Sequence, residues 1–435
     1  MSETFCKLKP TNELEQTFVD LVNRRDHLQL DALLTQNPHL VQKIDTHWFS
    51  FDTPAIVAAK HDEPVVKVLL KHGANINERS SWWAGSFGVL DGVSRESAGF
   101  FIKRGARFDI HSAAEQGELE LVAEFLERDP GLVNARGGDG QTPLHTASTL
   151  PIVDLLIQSG ADLELRCFDH SATAVQYAVS EVDKCRHLIE CGATPDIFLA
   201  CALGDRALVE LVFRQEPECL ESVVGSCEHT SPVDPRSHSH IYAWKLLGAK
   251  TPLEVARAFS HNDLYQELFQ RVGHRQQFLA ACWDGESVTA KALAQKYPNL
   301  VSGLDEAELR LLPRAAWDGK LESVRLMLEL GFDPHVRGDE ASTALDRAAF
   351  HGEREIVELL IKMDPRPPLK MKNRYGGTPL GCCAYGATHS WKLTTADHLG
   401  TAKALIAAGA EIDPAWLPAE NVEIDALFRR ELGLT

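Results

Sequence analysis

Apolar positions along the chain recur at helical spacing. Val65, Val66, Val68 and Leu69 in one segment, and Ile152, Val153, Leu155 and Leu156 in another, fall on one face of a helix with 3.6 residues per turn. Each apolar stretch is short, and the same punctuation bounds it. Thr-Pro pairs open segments at Thr53-Pro54, Thr142-Pro143, Thr251-Pro252 and Thr378-Pro379, with degenerate versions at Thr173-Ala174 and Thr343-Ala344. Threonine can cap the exposed amides of a first turn, and proline there loses no hydrogen bond. Glycine closes the segments at Gly73-Ala74, Gly105-Ala106, Gly160-Ala161, Gly192-Ala193 and Gly409-Ala410, with Gly331-Phe332 as a variant. It suits the left-handed residue that ends a helix. Small-residue pairs, Ala113-Ala114, Ala315-Ala316 and Ala348-Ala349, mark places where helices approach closely. Gly73 and Gly105 stand 32 residues apart, as do Gly160 and Gly192, and Ala315 and Ala348 stand 33 apart. A helix pair repeating with this period is the element predicted throughout.

Two units show the pattern best. One runs from Gly138 through Thr142-Pro143-Leu144-His145 and Ala147 to Gly160-Ala161-Asp162. The other runs from Thr343 through Ala348-Ala349, Gly352 and Ile356-Val357 to Leu359-Leu360. The sequence resembles the ankyrin repeat in these residues. The resemblance extends over residues 12–413 in roughly a dozen units, beginning near 12, 47, 80, 109, 137, 168, 195, 245, 274, 306, 338 and 371. It implies an all-α solenoid of stacked helix-turn-helix units with short hairpin or turn connections. Residues 1–11 are expected to be disordered, 12–46 to form an N-terminal cap, and 414–435 to form a closing helix that uses Trp416, Leu417, Leu427 and Phe428. The third unit is compressed around Gly85, Gly88, Gly92 and Gly99. The resemblance also gives His145 a structural part, hydrogen-bonding loop backbone.

Composition narrows the function. The 435 residues carry 62 Asp and Glu against 44 Lys and Arg, a formal charge of −18. That balance argues against nucleic acid and against anionic membrane as partners. No apolar run reaches the roughly 18 residues of a spanning helix. The first ten residues lack a charged stretch followed by an apolar one, so no secretion signal is expected. Ten cysteines without CxxC spacing read as reduced core thiols and a cytoplasmic location.

Two stretches exceed the repeat, at about 221–250 and 386–398, and insertions often carry function. Thr142 and Gly160 stand 18 residues apart, whereas Thr378 and Gly409 stand 31 apart. The first insertion contains Cys227, His229, His238, His240, Tyr242 and Trp244; the second places Tyr385, His389, Trp391, Asp397 and His398 together. The types Cys219, Cys227, His229, His238 and His240 lack a finger spacing, so no metal is expected. No cofactor is expected either, since the phosphate-loop, dinucleotide, HExxH and GxSxG motifs are missing.

Two residues precede the glycine after each first helix, and by resemblance they face the concave groove used for partners. Four successive units put an aromatic first, Trp283, Trp317, Phe350 and Tyr385, followed by Asp284, Asp318, His351 and Gly386. At about 10 Å per unit this is a ladder of rings beside carboxylates and an imidazole. The ladder reads either as a binding groove or as packing between first helices. Trp82 and Trp83 sit where a repeat carries a polar hairpin tip, and are read as a pocket wall or as a plug for the degenerate unit. The leading expectation is a non-catalytic interaction module that binds a protein, through a basic or polar peptide segment, on this aromatic and acidic groove. Its contact residues would be Trp82, Trp83, Tyr242, Trp244, Trp283, Asp284, Trp317, Asp318, Phe350, His351, Tyr385, His389 and Trp391. The alternative is a small polar ligand or an enzymatic site closed by the insertions, with His351, Asp318, His389 and Asp397 as acid–base groups.

Overall fold

The computed structural model describes residues 7–224, 240–363 and 366–434; the His229 and His238 positions considered for metal, and Cys227, lie outside the described residues. Among the described residues the structure is helix and turn, with an isolated antiparallel bridge between Phe49 and Thr53. The chain forms two compact units, Met1–Leu268 and Phe269–Thr435.

In the first unit, paired helices follow one another: Glu13–Asn23 with His27–Gln36, Ala55–Ala58 with Glu63–Lys71, and Ile110–Gln116 with Leu119–Arg128. Pro143–Thr146 with Leu150–Gln158, Ala174–Tyr177 with Val182–Glu190, and Ile197–Ala202 with Arg206–Gln215 continue the series. The compressed third repeat keeps only one helix, Arg95–Ile102, and replaces the other with the irregular stretch 80–93. The second unit stacks His274–Asp284 with Ser287–Lys296, Leu311–Asp318 with Leu321–Glu329, Ala344–Phe350 with Arg354–Leu360, and Pro379–His389 with His398–Ala407. The helix Val422–Glu431 packs on the last pair through Ile424, Leu427 and Phe428, all buried.

The caps explain why these short helices hold. Thr343 N–H donates to Asp346 Oδ2 at 2.8 Å, and Asp346 N–H donates back to Thr343 Oγ1 at 3.3 Å. This reciprocal box satisfies amides that a seven-residue helix would otherwise leave bare. In the equivalent box Thr142 N–H donates to His145 Nδ1 at 3.1 Å, while His145 Nε2 donates to Ala172 O at 3.0 Å. That fixes the tautomer, and burial pushes the imidazole pKa down to about 4, so His145 is a neutral strut joining two tips.

The turns between repeats are alike. Gly137, Gly338 and Asn373 donate to the carbonyls of Gln141, Ser342 and Gly377 at 2.8, 2.8 and 3.0 Å. Asp139-Gly140 and Glu340-Ala341 take left-handed φ in these turns. Small residues set the spacing of the stack. Ala315, Ala316, Ala348 and Ala349 are fully buried, and at Gly386 a Cβ would lie 1.8 Å from Phe350 O. The helix Pro379–His389 therefore lies backbone to backbone against Ala344–Phe350.

Candidate functional site

In the second unit three members of the expected ring row, Trp317, Phe350 and Tyr385, lie side by side. Trp317 and Phe350 stack with centroids 5.4 Å apart and planes 10° apart, and Phe350 reaches Tyr385 at 6.2 Å. The segment 390–397, the insertion between the last two paired helices, folds back onto this row. Trp391 places its ring 5.2 Å from Trp317 and 4.7 Å from the His351 ring. Ser390 Oγ meets His351 Nδ1 at 2.8 Å. Lys392 Nζ donates to Trp317 O at 2.8 Å and pairs with Glu353 at 3.2 Å. A cation on a terminal helix carbonyl meets the negative end of the helix dipole. His398 Nε2 also donates to a helix carbonyl, Phe350 O at 3.0 Å, but as an uncharged imidazole, since burial lowers its pKa. The insertion is thus pinned across the first helices of three successive repeats.

The electrostatics differ from the carboxylate row expected from the sequence. The chain's own cations lie over the rings: Arg347 Cζ is 4.5 Å from the Trp317 centroid, and Arg314 Cζ and Lys320 Nζ are each 5.0 Å from that of Trp283. Trp283 is buried, with its carbonyl taking the Ser323 hydroxyl at 2.7 Å. Asp284 is half-buried and Asp318 exposed. Two rings stay open to solvent, Tyr385 at 58% and Trp391 at 69% exposure.

The acid–base candidates do not gather. His351 is completely buried among rings; burial, then Lys392, pushes its pKa down to about 4, and its Nε2 has no hydrogen-bond partner. His389 stacks on Tyr385 at 3.9 Å and lies 3.7 Å from Glu420. Asp397 caps the helix His398–Ala407 through Gly400 N–H at 2.7 Å and pairs with Arg354 at 3.3 Å. It lines a charged depression of about 330 Å³ with Arg354, Glu358 and Lys403, away from the rings. These contacts give His351, His389 and Asp397 separate partners and leave His351 without exposed surface.

In the first unit the named aromatics are mostly sunk. Tyr242 is fully buried against Phe198, centroids 5.4 Å apart, and its hydroxyl donates to Asp196 at 2.7 Å. It is a core residue, and the expectation of a contact ring there fails because its polar tip is satisfied inside. Trp244, two residues on, is 69% exposed. Trp82 is buried edge-on to Phe51 at 5.2 Å and next to Trp83 at 5.7 Å. The glycines nearby serve close packing of tips, since a Cβ on Gly85 would lie 1.8 Å from Gly137 O. The Trp82 indole lies against Asp139, whose carboxyl is pushed up to about 6 by burial and then by Asp169. His170 lies 3.1 Å from Asp169: burial opposes its charge, but Asp169 outweighs that and raises its pKa.

Reading residues singly missed Arg314, Arg347, Ser390, Lys392 and the Asp139–Asp169–His170 group. Arg314 and Arg347 stand three residues before Trp317 and Phe350, a signal the period could have exposed. Lys392 gave none, because its acceptor is 75 residues away.

Among the described residues no helix is long and apolar enough to cross a membrane, and the eight described cysteines are free, with only Cys191 exposed. Comparison with known proteins agrees with the architecture. The family model for ankyrin repeats in three copies matches residues 110–199 and 312–415, and the single ankyrin repeat model matches 51–81, together just over half of the chain. A relative from Mus musculus, ankyrin repeat and SAM domain-containing protein 6, is 33% identical over 117 residues, 26% of this chain and 13% of that protein. Its Rattus norvegicus counterpart matches to the same extent. The Arabidopsis thaliana E3 ubiquitin-protein ligase KEG is 24% identical over 277 residues, 58% of this chain and 16% of that protein. The matched stretches thus span less than a fifth of the length of these relatives. Paired helices, capped first turns and stacked tips agree with these matches, and the chain belongs to the ankyrin repeat family.

Proposed function

We propose that this protein is a non-catalytic interaction module whose contact surface in the second unit is the ring row from Trp317 to Trp391. One observation carries the reading: Tyr385 and Trp391 keep 58% and 69% of their surface exposed while their neighbours are clamped by Ser390, Lys392 and His398. Contiguous apolar rings held in water cost about 25 cal/mol per Å², a cost a partner removes on covering them. Rings already fixed in place lose little freedom on binding, which favours affinity.

The partner is a protein segment with an apolar anchor for the Tyr385–Trp391 edge and polar or basic residues beside it. Basic side chains would be received by exposed Asp318 and by Glu420, because Arg314, Lys320 and Arg347 already occupy the faces of Trp283 and Trp317. Buried His351, with a neutral imidazole, supports ring packing and no proton transfer in this reading.

The test uses the full chain with a photo-crosslinking residue at 391 or, for comparison, at 244. Adducts are identified by mass spectrometry, and affinity is then measured for the segment found. Trp391→Ala should weaken that affinity about 30-fold, near 2 kcal/mol, while changing the melting temperature little. Unchanged affinity in Trp391→Ala and Tyr385→Ala would remove the ring row from the interface.

A further inference from the structure

Away from the ring row, a second group of reactive side chains lies on the second helices of the first unit. Asp154 belongs to the helix Leu150–Gln158, His187 to Val182–Glu190 of the next repeat, and Cys191 caps the end of that helix. His187 and Cys191 stand four residues apart, which puts them on one helix face. Stacking brings Asp154 alongside. His187 Nε2 is 2.6 Å from Asp154 Oδ1 and 3.8 Å from Cys191 Sγ. One carboxylate oxygen, one imidazole nitrogen and one thiol sulfur thus lie within 4.8 Å of one another.

We propose that Asp154, His187 and Cys191 bind a zinc-class divalent metal that ties together two successive repeats. The donor chemistry selects the class: thiolate and imidazole suit zinc and its neighbours, whereas magnesium and calcium require oxygens. Tetrahedral zinc with bonds of about 2.0–2.3 Å holds its ligands about 3.3–3.7 Å apart. The nitrogen–sulfur separation of 3.8 Å lies just above this range and must close slightly, and the 2.6 Å hydrogen bond must open modestly to admit the ion. Neighbouring cations on the same helix are directed elsewhere. Arg186 pairs with Asp205 at 3.0 Å, and Lys184 donates to His145 O at 3.2 Å. The Asp154 carboxylate lies beside Cys191 and the carbonyl end of the helix is close, so the local field attracts a cation. Cys191 is the exposed thiol among the described cysteines, the others being buried. Three protein ligands leave a fourth position for water. Spacing alone did not disclose the set, because its third ligand comes from the preceding repeat.

The experiment is a Co²⁺ titration of the full-length protein, reduced and freed of metal, followed by Zn²⁺ competition. The expected result is a thiolate-to-cobalt charge-transfer band with tetrahedral visible absorption, both abolished by Zn²⁺. Cys191→Ser should lose the charge-transfer band while keeping the metal-free melting temperature. Asp154→Asn and His187→Gln should each weaken Co²⁺ binding about tenfold or more. Zn²⁺ should raise the melting temperature of the unmodified protein and leave that of Cys191→Ser unmoved. No charge-transfer band in the unmodified protein overturns the proposal, and so does a band that persists in Cys191→Ser.

Discussion

The same residue types take opposite roles in the two units. Tyr242 and Trp82 in the first unit lie inside the stack, each with its polar tip set against a carboxylate, Asp196 and Asp139 respectively. Tyr385 and Trp391 in the second unit stand mostly in solvent, beside half-buried Trp317 and Phe350. The difference does not come from the rings. It comes from whether a neighbouring turn supplies both a cover and a hydrogen-bond partner, because an aromatic with a polar tip can be sunk only where that tip is satisfied.

Mutation can break this comparison directly. Tyr242→Ala should cost about 3–5 kcal/mol of stability, read as a lower urea midpoint, because it empties a filled core site and leaves Asp196 short of a donor. Trp391→Ala, a larger truncation, should cost under about 1 kcal/mol; equal losses would erase the distinction between sunk and open rings.

Acid sharpens it next. His145 is neutral when folded, with a pKa near 4 against an ordinary 6.5. The unfolded chain therefore takes up the proton first as pH falls below 6.5, and stability drops until about pH 4, by about 3 kcal/mol for this residue. His351 adds to the loss in the same window, since its pKa is also held near 4. Asp139 works the other way. Its raised pKa, about 6 against 3.8, favours the folded state at low pH, and that contribution is lost as pH rises toward 6. His145→Gln should flatten the acid loss in urea midpoints measured between pH 6.5 and 4. Glutamine holds the same place in the next repeat, where Thr173 N–H donates to Gln176 at 3.0 Å. A profile unchanged by this substitution would show that His145 is not the group titrating.

A smaller effect tests the platform under the rings. Gly386→Ala places a Cβ against Phe350 O and should cost about 1–3 kcal/mol, loosening Tyr385 and Trp391 together. A variant as stable as the parent, with Trp391 fluorescence unaltered, would mean the two helices are free to separate.

Much of this is legible in the sequence. Thr-Pro openings, closing glycines and alanine pairs are local requirements of caps, left-handed turns and close helices, so they point to the repeats, and the resemblance they carry implies the structural part of His145. The ring row was found because four residues share one register position, Trp283 through Tyr385. The row of carboxylates beside it was overweighted, since Arg314 and Arg347 occupy another position of the same helices and come over the rings only when the helices stack. Tyr242 was misread because its partner, Asp196, lies 46 residues earlier.

The order of residues by itself therefore determined the repeat, its caps and the places where helices touch, because each depends on groups within one turn or one period. Tertiary structure alone decided which rings are covered, which cations lie on them and where Lys392 and Cys191 find company. Those outcomes depend on atoms brought together by stacking, and burial is a property of the whole surround rather than of any segment.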